Sequence, residues 1–202
     1  MQMGCFVPLS KNQAVSEEIK SSKQRKLKVA QLLADISTGN PAKIINALDA
    51  LQVYGDETVI EPLIRTLSGE VDQNGAAEIV EFLSSLKSTA AVAKIMEVVH
   101  NPEFAQQRQL ILSTIWNSPL NYSDYLADFI ALAVRGNFME TLECLTILEN
   151  LDGPFEESAI LESQLHLKEY LEGMHPKDGQ KDQLISEIAL LLKDMDRSVD
   201  AD

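Results

Sequence analysis

Apolar residues recur along most of the chain with the spacing of α-helices, and residues 46–67 show this most clearly. Leu48, Leu51, Val53 and Tyr54 precede a Gly55-Asp56 break, and Val59, Ile60, Leu63, Ile64 and Leu67 follow it at i, i+1, i+4, i+5 and i+8 spacing. This pattern predicts two short amphipathic helices that are joined by a tight turn.

Further helices are predicted at short intervals, and turn-forming residues separate them. The boundary at residues 38–41 is typical: Gly39 suits the residue after a helix, Asn40 can cap the next helix, and Pro41 fits its first turn. The predicted helices span residues 13–37, 41–54, 57–68, 75–87, 89–100, 103–116, 123–134, 138–151, 155–171 and 180–194. Ser88 and Asn101 are predicted caps. The sequence therefore predicts an all-α protein.

The apolar positions repeat along the chain at intervals of 32 to 34 residues. For example, Leu51 corresponds to Leu83, and Leu83 in turn corresponds to Ile115. Self-similarity at this period is typical of a solenoid. An up-and-down helical bundle also spaces its apolar stripes in this way, so the period alone leaves both architectures open.

The residues of the first unit, ALDALQVYGDETVIEPLIRTL, resemble the short HEAT repeats of phycobilisome-lyase-like proteins. Asp56 matches the acidic turn residue of that family, and Pro62 matches the early proline of its second helix. Ser88 and Lys94 stand at these positions in the second unit, and the later units diverge further. The resemblance covers residues 41–172. It implies a right-handed α-α superhelix, armadillo-like, of about four helix pairs with capping helices.

Because one helix pair cannot bury its apolar face alone, such an array needs neighbouring pairs and covered ends. We expect residues 1–12 to be a flexible N-terminus and residues 13–40 to form a basic capping helix. Residues 41–172 are the expected repeat array, residues 173–194 a loop and a C-terminal capping helix, and residues 195–202 an acidic tail. Whatever is specific to this protein is expected in its divergent part, residues 117–172.

The formal net charge of −14 argues against nucleic-acid binding, which depends on clustered Lys and Arg. Residues 1–40 carry six basic and three acidic side chains, so the acidic surplus lies in the rest of the chain. That surplus serves either solubility or the attraction of a basic partner. Cys5 and Cys144 form no metal or redox motif, and no membrane span is expected. We therefore expect a cytoplasmic protein, with Cys144 in its core.

No motif for catalysis, cofactor binding or metal binding is recognisable in the sequence. His100, His166 and His175 lack a ligand spacing such as HExxH. Glu162 lies one helical turn before His166, which would allow a weak metal site, but a solvated helix surface explains this pair better. Trp116 falls on an apolar stripe and is expected in the core. We therefore expect a protein without enzymatic activity, cofactor or metal.

In HEAT-like arrays, the second helix of each pair usually lines the concave side, so the polar residues of these helices are the candidate binding surface. They are Glu57, Glu61, Arg65, Lys94, Glu97, Asp124, Asp128, Glu157, Glu162 and Glu169. We expect this acidic surface to bind another protein of basic character. Two alternatives remain: a bilin lyase-like or other enzyme-associated subunit, and a purely structural oligomer that pairs through an apolar end. The oligomeric state itself is left open.

Overall fold

The computed structural model describes residues 11–69, 71–173 and 179–199, with side chains from residue 21 to residue 196. Within these ranges every regular element is helical and no strand occurs, which confirms the all-α class. The α-helices are α1 (Lys11–Ile36), α2 (Pro41–Tyr54), α3 (Ile60–Leu67), α4 (Gln73–Ser84), α5 (Ala90–His100), α6 (Arg108–Trp116), α7 (Leu126–Arg135), α8 (Phe138–Glu149), α9 (Glu157–Glu172) and α10 (Gly179–Val199). Three 3₁₀ turns span Glu57–Val59, Pro102–Phe104 and Ser123–Tyr125.

The helices pack in two rows. Helices α2, α4, α6, α8 and α10 form the first row, in which each helix contacts the next. Helices α3, α5, α7 and α9 form the second row, where α3 contacts α5 and α7 contacts α9. His100 of α5 and Asp128 of α7 approach to 2.9 Å and link the middle of this row. Helix α1 contacts α2 and α3, whereas α10 contacts α8 and α9.

One continuous cluster of buried apolar side chains runs through the molecule, from Leu32 of α1 to Met195 of α10. The predicted core positions Leu51, Leu63 and Cys144 all belong to it, so these predictions are confirmed. Burial raises the pKa of the Cys144 thiol well above its usual range. The thiol is therefore uncharged at neutral pH and acts as a small apolar core group.

Trp116, which was expected in the core, is exposed, and so are two apolar residues at the end of α2. Val53 of α2 is 73% exposed, and Tyr54 next to it is also exposed. Trp116 is 42% exposed, and its indole N–H donates a 3.0 Å hydrogen bond to Glu143 of α8. All three lie in the last turn of their helices, where they point away from the buried stripes that contain Leu51 and Ile115.

Two of the three predicted caps, Asn40 and Asn101, form as expected. Asn40 accepts a 3.2 Å hydrogen bond from the Lys43 N–H, and Gly39 before it has a φ of 68°, in the left-handed region. Asn101 accepts a bond from the N–H of Glu103. Ser88 does not fulfil its predicted role, because the N-cap position of α5 is occupied by Thr89, whose side chain makes no capping bond.

Several helix boundaries differ from the sequence prediction. Residues 103–116 do not form one helix, because a 3₁₀ turn at Pro102–Phe104 comes first and α6 begins at Arg108. A 3₁₀ turn likewise precedes α7. Helix α10 continues to Val199, so residues 195–199 of the expected tail are helical. Residues 11 and 12, which were expected in the flexible N-terminus, belong to α1. Residues 1–10, most of the loop before α10, and residues 200–202 lie outside the described residues.

Arg25 and Lys181, cations from α1 and α10, cap the carboxyl ends of two other helices. Arg25 of α1 donates 2.7 Å hydrogen bonds to the carbonyl oxygens of Tyr54 and Gly55, at the end of α2. Lys181 of α10 donates to the carbonyl oxygens of Val134 and Gly136, at the end of α7. Such contacts satisfy unpaired carbonyl groups and oppose the negative end of the helix dipole. They fasten α1 and α10 to the rest of the structure.

None of the described helices combines the length and the apolar character that crossing a membrane would require.

Candidate functional site on the second row of helices

All ten predicted binding residues lie on second-row helices or on the 3₁₀ turns that precede them. None of the ten is buried. Glu57 and Asp124 belong to the turns before α3 and α7, and Glu157 is the first residue of α9. Carboxylates at these places interact favourably with the positive ends of the helix dipoles. The second-row surface, which we define by these ten residues, is therefore accessible to a partner.

Four of the ten residues are joined in one ion-pair network across α3 and α5. The Glu61 carboxylate lies 3.1 Å from the Arg65 guanidinium and 3.0 Å from the Lys94 ammonium. Lys94 also lies 3.0 Å from Glu97, one turn further along α5. Hydrogen bonds from Lys94 and from Arg65 hold the pKa of Glu61 below its usual value. This carboxylate therefore keeps its charge to a lower pH than an isolated glutamate does.

Arg65 extends the network to the 3₁₀ turn at Pro102–Phe104. Two of its nitrogens bind the two carboxylate oxygens of Glu103, and the guanidinium carbon lies 5.1 Å from the centre of the Phe104 ring. The hydrogen bond from Arg65 lowers the pKa of Glu103. A bidentate pair with an aromatic neighbour holds the guanidinium in one orientation. Arg65 and Lys94 are thus both engaged within the molecule.

The remaining acids of the second-row surface are less neutralised. Asp128 lies 2.9 Å from His100, and Glu162 lies 3.8 Å from His166. The other acids, which have no ion pair among the described residues, are Glu57, Asp124, Glu157 and Glu169. With Glu103 included, nine carboxylates face only two Lys or Arg side chains on this surface. The arrangement is suited to attracting cations over an extended area.

The described residues contain no group of three or more His, Cys, Asp or Glu side chains that could hold a metal ion. Glu162 and His166 are the pair that was considered above for a weak metal site. A Glu162 carboxylate oxygen lies 3.8 Å from the His166 Nε2, which is too long for a hydrogen bond.

A cavity of about 400 Å³ opens beside this surface, between the turns of the first two helix pairs. Leu51, Phe82 and Leu86 contribute apolar walls, and Asp56 and Lys87 lie at its edge. The Asp56 carboxylate accepts hydrogen bonds from the side chain and backbone of Thr58. These bonds lower the pKa of Asp56. The hydrogen bonds to Thr58 thus hold the Asp56 carboxylate in place at the edge of the cavity.

Sequence reasoning did not find Glu103 or the contacts of His100. Glu103 lies 38 residues after Arg65, in a turn that was predicted to be helical, so no local pattern connects the two. His100 was recognised only as a titratable residue. The first contact joins α3 to the turn after α5, and the second joins α5 to α7.

Comparisons with protein-family models, with curated proteins and with solved structures find no match to this chain.

Proposed function

We propose that this chain is a non-catalytic, HEAT-like α-solenoid that binds a basic segment of another protein along the second-row surface. The solenoid arrangement is supported by the order of helix contacts, in which first-row helices follow one another and second-row helices lie beside them. The resemblance of residues 41–67 to HEAT repeats agrees with this order. The observation that carries the function is the excess of carboxylates over cations on the second-row surface.

The distribution of ion pairs indicates where such a partner would bind. Arg65 and Lys94 already neutralise part of the acidic charge on α3 and α5. The acids at the starts of α3, α7 and α9 form no ion pair among the described residues and can therefore bind a partner. These acids are Glu57, Asp124 and Glu157. A segment rich in Lys and Arg gains most by lying along these starts. Because the acids are exposed, salt will screen the attraction.

A defined cationic probe tests this proposal. We would measure binding of a fluorescent Lys- and Arg-rich helical peptide, with a Glu-rich peptide of equal length as the reference. The triple variant E57K/D124K/E157K reverses the proposed contacts. Since exposed charge contacts contribute about 0.2–1 kcal/mol each, the loss of three such contacts should lower the affinity by roughly 3- to 150-fold.

The matched control reverses three exposed acids of the first row, Asp49, Glu81 and Glu149, in the variant D49K/E81K/E149K. Both variants change the net charge equally, so long-range attraction falls equally in both. The proposal requires a clearly larger loss in the second-row variant. Equal losses would show that the peptide senses only the net charge, and affinity that is indifferent to salt would also contradict the proposal.

A further inference from the structure

Helix α9 exposes a stripe of large apolar side chains on the side that faces away from the core. Leu161 is 57% exposed and Leu165 is 53% exposed, and these two residues form the stripe. Leu171, which is 65% exposed, lies near the end of the helix, closer to the side on which Ile160 and Leu167 are buried. Exposed leucines at i and i+4 on one helix form an apolar surface that a further helix could cover.

A groove of about 340 Å³ lies between α9 and α10, and Leu171 lines it, whereas Leu161 and Leu165 do not. Apolar side chains form its floor, namely Leu167, Leu171, Ala189 and Leu192. Its edges are charged and include Lys168, Glu172, Lys193 and Asp196. In the second row, the position after α9 lies beside α10, and no helix of the described residues occupies it. The α9 stripe and this groove together make up what we call the acceptor face.

Helix α1, at the other end of the molecule, exposes a second apolar stripe. Leu27 is 64% exposed, and Ala30 and Ala34 follow it at i+3 and i+7 and are also exposed. The opposite side of α1 buries Leu32 and Ile36 in the core. We call the exposed stripe of α1 the donor face. One large side chain among small ones allows another helix to approach closely.

The charges of the two faces are complementary. Residues 21–34 of α1 contain four basic side chains and no acid. Lys23 and Lys26 are exposed beside the donor face, whereas Arg25 is engaged at the end of α2. Helix α9 contains four glutamates against one lysine. Two acceptor faces would oppose acid to acid, whereas a donor face on an acceptor face opposes base to acid.

The packing order of the helices fits the same arrangement. Helix α1 contacts the first-row helix α2, as α9 contacts the first-row helix α10. A copy of α1 placed on the acceptor face would therefore follow α9 in the second row. At the same time, α2 of that copy would follow α10 in the first row. Both rows would then continue from one molecule into the next.

From these observations we infer that the protein self-associates head to tail, with the donor face of one copy bound to the acceptor face of a second copy. Such a contact is heterologous, so it leaves a free face at each end and permits chains longer than a dimer. The variants that test it, L27D and L165D, leave all residues of the peptide-binding test unchanged. The two proposals can therefore fail separately.

Sedimentation velocity tests this inference. Protein concentrations up to about 500 µM make self-association with a Kd near 1 mM detectable. The average mass should rise with concentration above the 22.4 kDa of one chain. Because the contact is partly electrostatic, the rise should weaken as salt is added. L27D removes the donor face and L165D removes the acceptor face, so each variant should remain monomeric by itself.

An equimolar mixture of the two variants is the decisive sample. L165D retains an intact donor face and L27D retains an intact acceptor face, so the mixture should form dimers and nothing larger. M139D is the control, because Met139 of α8 is a 41% exposed apolar residue in the interior of the first row, away from both ends, and it should associate like the wild type. Circular dichroism should show equal helicity for all of these variants.

A wild-type protein that stays monomeric over the whole range would overturn the inference. A mixture of L27D and L165D that remains monomeric would also overturn it. The intact donor face of L165D should bind the intact acceptor face of L27D if the proposal is right. Association that survives in both single variants would place the contact elsewhere on the molecule.

Discussion

The contact between Arg108 and Glu140 provides the sharpest test of how the two rows are held together. Arg108 begins α6 and donates a 2.9 Å hydrogen bond to the carbonyl oxygen of Val99 in α5. Another of its nitrogens lies 3.3 Å from the Glu140 carboxylate in α8. The second oxygen of Glu140 accepts a 2.8 Å bond from the Asn137 N–H and completes a capping box. Glu140 is a buried residue.

The variant R108M keeps most of the apolar stem and removes the positive charge. Loss of one partner from a buried ion pair costs about 3–5 kcal/mol, because the other charge is left without compensation. Arg108 is partly exposed, so water can replace some of its contacts, and the lower end of that range applies. Loss of the donor to Val99 adds about 1 kcal/mol. We therefore expect R108M to cost roughly 3–4 kcal/mol, a large part of the usual stability of a domain.

Urea unfolding followed by circular dichroism measures this difference. For a chain of this length, the expected loss corresponds to a melting temperature lower by roughly 6–16 °C. R65M is the matched control, because Arg65 also binds two carboxylates, Glu61 of its own helix and Glu103 of a 3₁₀ turn, but is half exposed, so its replacement should change the midpoint only slightly. E140Q in the R108M background should recover part of the loss, since a neutral amide is less costly to bury.

Two results would refute this reasoning. If R65M were as destabilising as R108M, exposure would not control the cost of losing these pairs. If E140Q gave no recovery, the buried charge of Glu140 would not be the cause of the loss.

Two further predictions concern the core and the start of α3. L63A should lower the free energy of unfolding by about 2–5 kcal/mol because Leu63 is fully buried, whereas V53A should lower it by less than about 0.5 kcal/mol. Urea unfolding measures both changes, and equal effects would contradict the burial of Leu63 and the exposure of Val53. The pKa of Asp56 is lowered by its bonds to Thr58, so its stabilisation is present above the ordinary value of 3.8 and is lost as the pH falls through the lowered pKa. D56A should therefore destabilise the protein by about 1 kcal/mol at pH 7, and the difference from the wild type should shrink below pH 3.8; a difference that grows on acidification would contradict this sign.

Residues with strong local signals were the ones that the sequence could predict. Asn40 and Asn101 act as caps because a side-chain oxygen can reach an N–H two or three residues later, whatever the rest of the fold does. Leu63 is buried because it belongs to an apolar stripe at helical spacing. Trp116 was predicted incorrectly because the same stripe does not show where a helix ends against its neighbour.

Long-range contacts could not be predicted in this way. Tyr122 belongs to a stretch expected to be only a connection, yet it is buried and packs edge-on against Phe129, with ring centres 6.4 Å apart. Burial raises the pKa of Tyr122 to about 12. Ser123 next to it donates a hydrogen bond to the carbonyl oxygen of Asp152, in the turn before α9. Such contacts depend on which turns meet in space, and no periodic pattern records that.

The sequence by itself determined the helical class, most of the apolar stripes and the acidic character of the second-row helices. These properties follow from side-chain periodicity and composition, which act within one or two helical turns. The tertiary structure decided which acids are neutralised: Glu61 and Glu103 meet cations, whereas Asp124 and Glu157 meet none among the described residues. It also decided that the leucines of α9 stay uncovered, because burial depends on the neighbour that each helix finds and not on the helix alone.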